Sequence, residues 1–363
     1  MKEVVSSQHG IALVILFILG NSPLFSLAGQ AGSDLWLAFL VAIALAFPLI
    51  LVYTRFRILL YGQTLWEGLA AIIGQWPMRI LALYYGFYAW RLCSWIVDHV
   101  TAFLVAVPYE NTPETVFSFG FTILAWWAVK EGLEVLARLS AVLLKIVGLV
   151  VFTTFILTLT EANLENFLPF FYHGFTPIAR GALQLLNFPF LEIVLFLWAF
   201  DSFVSKKSPA QIFIPGFLVA AFLLMLFSST SLAVVGVDKY VGSYFPGHVA
   251  VSRINIARFL SRLEIAAGIV AGIGSFIKLA LCLLVASKGF ARGLGFKDYR
   301  FLVTPLALGV IPGSQWFNKS AMEIHKKATA VWSTYNFVIQ VGIPILLWII
   351  AEIKLGKKSR GAE

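Results

Sequence analysis

The sequence predicts an all-α integral membrane protein of about ten transmembrane helices, folded as two inverted five-helix repeats with broken helices 1 and 6. Three observations predict it: an apolar composition, ten long apolar runs, and a proline-interrupted run at the start of each half. Of 363 residues, 60% are hydrophobic and 12% charged, and the mean hydropathy is +0.88. Soluble domains carry roughly 45–50% apolar and about 25% charged residues.

A membrane-spanning helix needs about 20 consecutive apolar residues. Such runs lie near 10–29, 34–53, 79–107, 113–129, 135–160, 181–204, 212–236, 258–286, 300–314 and 331–353. The ninth is short and the third and eighth are long, which implies strong tilt or extension beyond the bilayer. Ser26-Leu27-Ala28 resembles a signal-peptide cleavage site. The weakly charged start and long apolar stretch argue instead for a retained first span. The runs make one transmembrane domain over 1–363, with repeats at about 10–160 and 181–354.

The formal charge of +9 does not point to nucleic acid. No basic cluster is interleaved with aromatics in a polar segment, and excess Lys and Arg in a membrane protein mark cytoplasmic loops. With the amino terminus inside, sixteen of the 27 Lys and Arg fall in inner segments and eight in outer ones. Arg91, Lys145 and Lys278 remain within spans. The bias predicts that both termini are cytoplasmic. Cys93 and Cys282 both sit in apolar runs and read as packing residues, with no CxxC or His/Cys cluster to suggest a metal.

Proline inside a membrane helix removes a backbone hydrogen bond, and irregular backbone at that depth is tolerated only inside protein or beside a wet cavity. Gly20-Asn21-Ser22-Pro23 interrupts span 1, and Asn187-Phe188-Pro189-Phe190 interrupts span 6. Discontinuous helices at corresponding places in two halves point to a transporter-type fold with its site at the midplane. Five spans is an odd number, so the second half enters the membrane from the opposite side.

Ionisable residues within spans cost about 2.5–3.5 kcal/mol each on insertion scales and are functional candidates by default. Glu192 lies one turn past the second break, placed to receive a ligand's ammonium group, carry a proton, or pair with a basic neighbour. Tyr84, Tyr88, Arg91, Trp95 and Asp98 share one face of span 3 and suit a cavity wall. Glu264, Gly268, Ala271, Ser275 and Lys278 share one face of span 8, where small residues allow close backbone approach. Lys278 and Lys145 are isolated among apolar residues, each a candidate proton site or a fixed cation in place of bound sodium. Asp98, Glu264, Lys145 and Lys278 are therefore the candidate coupling residues, with His99 a weak relay candidate beside Asp98. No GxSxG, HExxH or phosphate-cradling loop occurs. The sequence thus argues against an enzyme and calls for no cofactor.

The order of several short motifs is similar to that of a known family. They are Gly132-Leu133-Glu134-Val135-Leu136-Ala137-Arg138, Asn166-Phe167-Leu168-Pro169, Asn187-Phe188-Pro189-Phe190 with Glu192, Phe259-Leu260-Ser261-Arg262-Leu263-Glu264, and Lys297-Asp298-Tyr299-Arg300. Over nearly its whole length the chain resembles the B-subunit (GerAB-type) family of spore germinant receptors, within the amino acid–polyamine–organocation (APC) transporter superfamily. The resemblance implies a LeuT/APC-like fold with a site between spans 1, 3, 6 and 8. It implies a place in the spore inner membrane beside A-type and C-type receptor subunits. It also implies a nutrient ligand, often a small amino acid, held by Gly20, Asn21, Ser22, Asn187, Phe188, Phe190 and Glu192, with Tyr84, Tyr88 and Arg91 as a wall. Leu191 stands where the family usually has Gly, and Lys145 where it is usually apolar. A freestanding proton-coupled amino acid transporter is the alternative reading, and a kinked scaffold without ligand a third.

Overall fold

Each predicted run contains helix in the computed structural model, which describes residues 5–201, 203–253, 263–317 and 332–360. In chain order the helices are α1 (Ser7–Leu19), α2 (Leu35–Leu59), α3 (Leu65–Ile73), α4 (Gln75–Ala106), α5 (Glu114–Glu131) and α6 (Leu133–Leu159). There follow α7 (Phe175–Asn187), α8 (Phe196–Ala199), α9 (Ser208–Val235), α10 (Val237–Gly242) and α11 (Pro246–Ser252). The last four are α12 (Leu263–Leu294), α13 (Arg300–Phe317), α14 (Trp332–Phe337) and α15 (Ile343–Arg360). Among the described residues, eight segments are long and apolar enough to cross a membrane. The fourth and ninth runs form α5 and α13, 18 residues each. The ninth is therefore longer than its apolar stretch implied.

Burial separates the centre of the bundle from its rim. Among the most apolar residues of each segment, 72% are buried in the first span and 83% in the sixth, against 11% in α6. The two broken spans, with α12 equally buried at 72%, are thus the centre, and α6 faces outward. Its exposed Leu149 and Phe152, like Leu45 on α2 and Ile123 on α5, form an apolar exterior suited to hydrocarbon. Water-facing monomers rarely expose large contiguous apolar surface.

The interruptions are sharper than kinks. Helix α1 stops at Leu19 because Gly20 takes φ 33° and ψ −127°, a conformation open to glycine alone. Only a three-residue turn, Ser22–Leu24, follows before the chain reaches a second short segment at Gly29–Asp34. The second half of span 1 is therefore largely non-helical, where the sequence implied a helix to residue 29. Pro23 and the left-handed Ala28 (φ 53°) explain why it does not resume. In span 6, α7 ends at Asn187. A 3-10 stretch over Phe190–Leu195 leads into the four-residue α8.

Close helix contacts use glycines other than Gly268, which the small-residue face of span 8 suggested, or Gly272 one turn on. Around Gly268 and Gly272, an added Cβ would meet only ring carbons at 3.7 Å and 3.9 Å, which is ordinary contact. The tight approaches are at Gly274, whose Cβ would lie 2.5 Å from the Gly20 carbonyl oxygen, and at Gly289, 2.6 Å from that of Ala82. One pins α12 to the break of span 1, the other to α4.

The candidate ligand site at the two breaks

Two helix ends and one continuous helix build the centre. Asn21, at the first break, and Glu192, in the turn after the second, are both completely buried, and so is Lys278 of α12. The Lys278 Nζ lies 2.6 Å from Glu192 Oε2 and donates to Asn21 Oδ1 at 3.3 Å. It stands 4.5 Å from the Phe188 ring centroid and 5.4 Å from that of Phe17. Cation–π attraction of this kind is strengthened by desolvation. Lys278 thus joins the two interruptions through one ammonium group. Of the roles open to Glu192, pairing with a basic neighbour is the one seen. That neighbour lies on span 8, out of reach of any i±4 reading.

Glycine at position 20 serves this pair as well as the backbone. A Cβ there would fall 2.6 Å from Lys278 Cδ, so the lysine stem passes through the space glycine leaves. Ser22 turns back on its own helix, its hydroxyl donating to the Ile18 carbonyl at 2.7 Å. That bond satisfies one of the last carbonyls of α1.

The stripe on α4 is divided. Tyr88 is fully buried and accepts a hydrogen bond from Gln340 Nε2 at 2.9 Å. Gln340 also donates to the Asn187 carbonyl, at 3.1 Å. Tyr84 packs against Tyr335 at the edge of this group, and Arg91 and Asp98 are half-buried. Trp95 and Phe25 close on Phe188, with ring centroids 5.0 Å and 5.3 Å away. His99 is wedged edge-on against the same two rings. Phe190 points elsewhere, into the core between Phe39 and Phe217. Lys145 lies on the exposed face of α6, apart from the central cluster. The side chain of Glu264 falls outside the described residues.

Sequence reasoning missed several residues that shape this region. Within span 10, Val338–Gly342 is a π-helical turn, a feature frequent at functional sites. Tyr85 donates to the Ile339 carbonyl at 2.7 Å, and the Tyr53 hydroxyl bonds the Gln340 carbonyl. The signal was Gln340 itself, a lone amide in an apolar run. Arg57 and Lys288, read as cytoplasmic loop charges, are buried at 2% and 3% exposure. Arg57 Nη2 donates to the Phe200 carbonyl at 2.9 Å, and Lys288 Nζ to the Ala199 carbonyl and Asp201 Oδ2, each at 2.9 Å. Cations there satisfy the carboxyl-terminal carbonyls of α8 and its dipole. They were misplaced because both helices extend beyond their apolar stretches.

These clamps close the end of the bundle where α1 begins. Hydrogen bonds to charged groups contribute about 1.5–3 kcal/mol each. Arg57→Met is therefore expected to raise amide hydrogen exchange over residues 199–201 at least about tenfold, or about 1.4 kcal/mol. Exchange at Tyr88 is expected to stay unchanged. Mass-spectrometric exchange on the purified variant checks both.

The spore germination protein family model matches residues 4–321. The chain belongs to the spore germination protein family. Spore germination protein KB of Bacillus subtilis (strain 168) is 24% identical over 368 residues, covering 100% of this chain and 99% of that one. Among solved structures, MhsT in complex with L-phenylalanine superposes with a TM-score of 0.69 at 16% identity, covering 97% of this chain and 89% of that one. Mhp1, a nucleobase-cation-symport-1 family transporter in a closed conformation with bromovinylhydantoin bound, gives 0.62 at 11% identity, with 92% and 78% covered. This spore germination protein therefore has the LeuT/APC-like fold and is a multi-pass membrane protein, and its broken helices 1 and 6 are those of that fold.

Proposed function

We propose that this spore germination protein is the membrane subunit of a germinant receptor, and that it binds a small zwitterionic amino acid where its two broken helices meet. The buried Glu192–Lys278 pair, bridged to Asn21, carries the reading. It presents one carboxylate and one ammonium in the buried centre of the bundle, the complement of an amino acid's two charges. A ligand ammonium pairs with Glu192 and the carbonyl end of α1, and a ligand carboxylate pairs with Lys278. Tyr88, Phe188, Trp95 and Phe25 then surround the side chain. The fully buried Leu191, in the turn beside Glu192, favours a small one. The proteins whose folds match were solved with L-phenylalanine and with bromovinylhydantoin bound, which supports a small organic ligand here.

In this reading the chain works in the spore inner membrane with both termini cytoplasmic, beside A-type and C-type subunits that relay the signal. Calorimetry on the purified chain with L-alanine, L-valine, L-phenylalanine, L-glutamate and L-lysine tests the site. Saturable binding of a small neutral member, weakened at least about tenfold by Glu192→Gln, is the expected result. Absence of binding to folded chain, alone and with its co-expressed partner subunits, overturns it. Accumulation of the same amino acid in proteoliposomes holding this chain alone, driven by a pH gradient, would establish the solitary transporter instead.

A further inference from the structure

Lys145 is the thirteenth of 27 residues in α6, about 18 Å from the start of the helix and about 21 Å from its end. It is exposed, and neither a hydrogen bond nor an ion pair joins it to any described residue. Hydrocarbon extends about 15 Å on either side of the membrane centre. A four-carbon stem rooted at mid-helix does not cross that distance, so the headgroup escape open to lysines near helix ends is closed here. A lysine at this depth costs about 2.5–3.5 kcal/mol in lipid, and such residues face protein or water-filled cavities.

The surrounding face has the form of a helix-packing surface. Val142, Ile146, Leu149, Phe152 and Ile156 are all exposed on α6 at helical spacing around Lys145. Gly148, three residues on, has no atom within 4 Å of where its Cβ would stand, which leaves room for a second backbone. Among the described residues, a second copy of this chain offers no free counter-charge at this depth. The described carboxylates deepest in spans are Glu192, which is fully buried, and Asp98, which is half-buried and engaged within the chain; Asp34, Glu134 and Glu352 stand closer to the ends of theirs and are bonded within the chain. The exposed Glu131 and Glu161 stand at the ends of α5 and α6. Two copies meeting along this face would also oppose lysine to lysine.

We infer that the outer face of α6 around Lys145 docks a transmembrane helix of a different protein, one that carries an aspartate or glutamate near mid-membrane. The inference concerns the rim of the bundle and stands independently of the amino acid site. The binding energy comes from the charge pair in low dielectric together with packing of the apolar stripe.

The test places a photo-crosslinking benzoylphenylalanine at Leu149 of the full chain, in the native membranes where it is expressed. Crosslinked peptides are sequenced by mass spectrometry. The expected adduct is a transmembrane segment of another protein with a carboxylate near its middle, reduced at least tenfold in yield by Lys145→Met. Lys145→Glu is expected to lose the adduct, and exchanging the partner's carboxylate for lysine is expected to restore it. The same probe at Phe119 of α5 is expected to keep its yield in Lys145→Met. Adducts with lipid alone, adducts with a second copy, no adduct, or a yield unchanged by Lys145→Met would each overturn the inference. Thermal unfolding of the purified chain is a second reading. Lys145→Met is expected to leave the midpoint within about 2 °C, and a large fall would place Lys145 in an intrachain role instead.

Discussion

Replacing Lys278 by methionine is expected to destabilise the folded chain by about 3–5 kcal/mol, the usual cost of leaving one member of a buried ion pair without the other. Glu192 and Lys278 are both inaccessible to solvent and 2.6 Å apart. The loss of Lys278 therefore strands a carboxylate beside two phenylalanine rings. Glu192→Gln is expected to cost less, because glutamine keeps the shape and accepts a hydrogen bond from the ammonium, but it strands the cation. The double variant, Glu192→Gln with Lys278→Met, is expected to recover most of the stability lost by either single change, since pairs of this kind are often neutral when replaced together. A double-mutant cycle on detergent-solubilised protein, read by thermal unfolding, checks it. Additive effects would mean that the two groups are not coupled. The recovered double variant is also expected to bind no amino acid, which separates the pair's structural role from its role at the site.

The sequence was most informative where a single segment carried the signal, and least where the signal lay in how segments meet. Asn-x-Pro interruptions are local, so Gly20–Pro23 and Asn187–Phe190 identify the broken helices and, through them, the inverted topology. Apolar run length is also local, and each of the ten runs holds helix among its described residues, with the first and sixth interrupted. The Glu192–Lys278 pair joins residues 86 positions apart; both were conspicuous in their spans, yet nothing in either span names the other. Tyr53, Tyr85 and Gln340 were hidden for a related reason. Two tyrosines among many aromatics look like packing, and only the π-helical turn of span 10 gives their hydroxyls carbonyls to reach. Lys145 shows the opposite failure. Isolation in sequence marked it as unusual, but exposure on a peripheral helix depends on which face of α6 turns inward, and its alternating bulky residues do not declare that face.

Gly274→Ala is expected to be among the most damaging single-atom additions in the molecule, and Gly272→Ala, two residues away, nearly silent. The added methyl at 274 would lie 2.5 Å from the Gly20 carbonyl oxygen and 3.0 Å from its Cα. These are backbone atoms at the stop of α1, fixed by the bond from the Gly20 amide to the Leu16 carbonyl at 2.8 Å. No rotamer change relieves the clash, so the cost falls at the upper end of the about 1–3 kcal/mol typical of overpacking. At 272 the methyl meets only the tip of the Phe121 ring at 3.9 Å, and the better helix propensity of alanine offsets the contact by up to about 1 kcal/mol. Relief at 274 requires α12 to move away from the break, and Lys278 is one turn further along the same helix. The displacement therefore pulls its ammonium off Glu192 and Asn21, and ligand affinity is expected to fall with stability. Thermal unfolding and calorimetry on the two variants read both quantities. If Gly274→Ala were as stable as Gly272→Ala, α12 would not be seated on the break of span 1, and the join at Lys278 would lose its support.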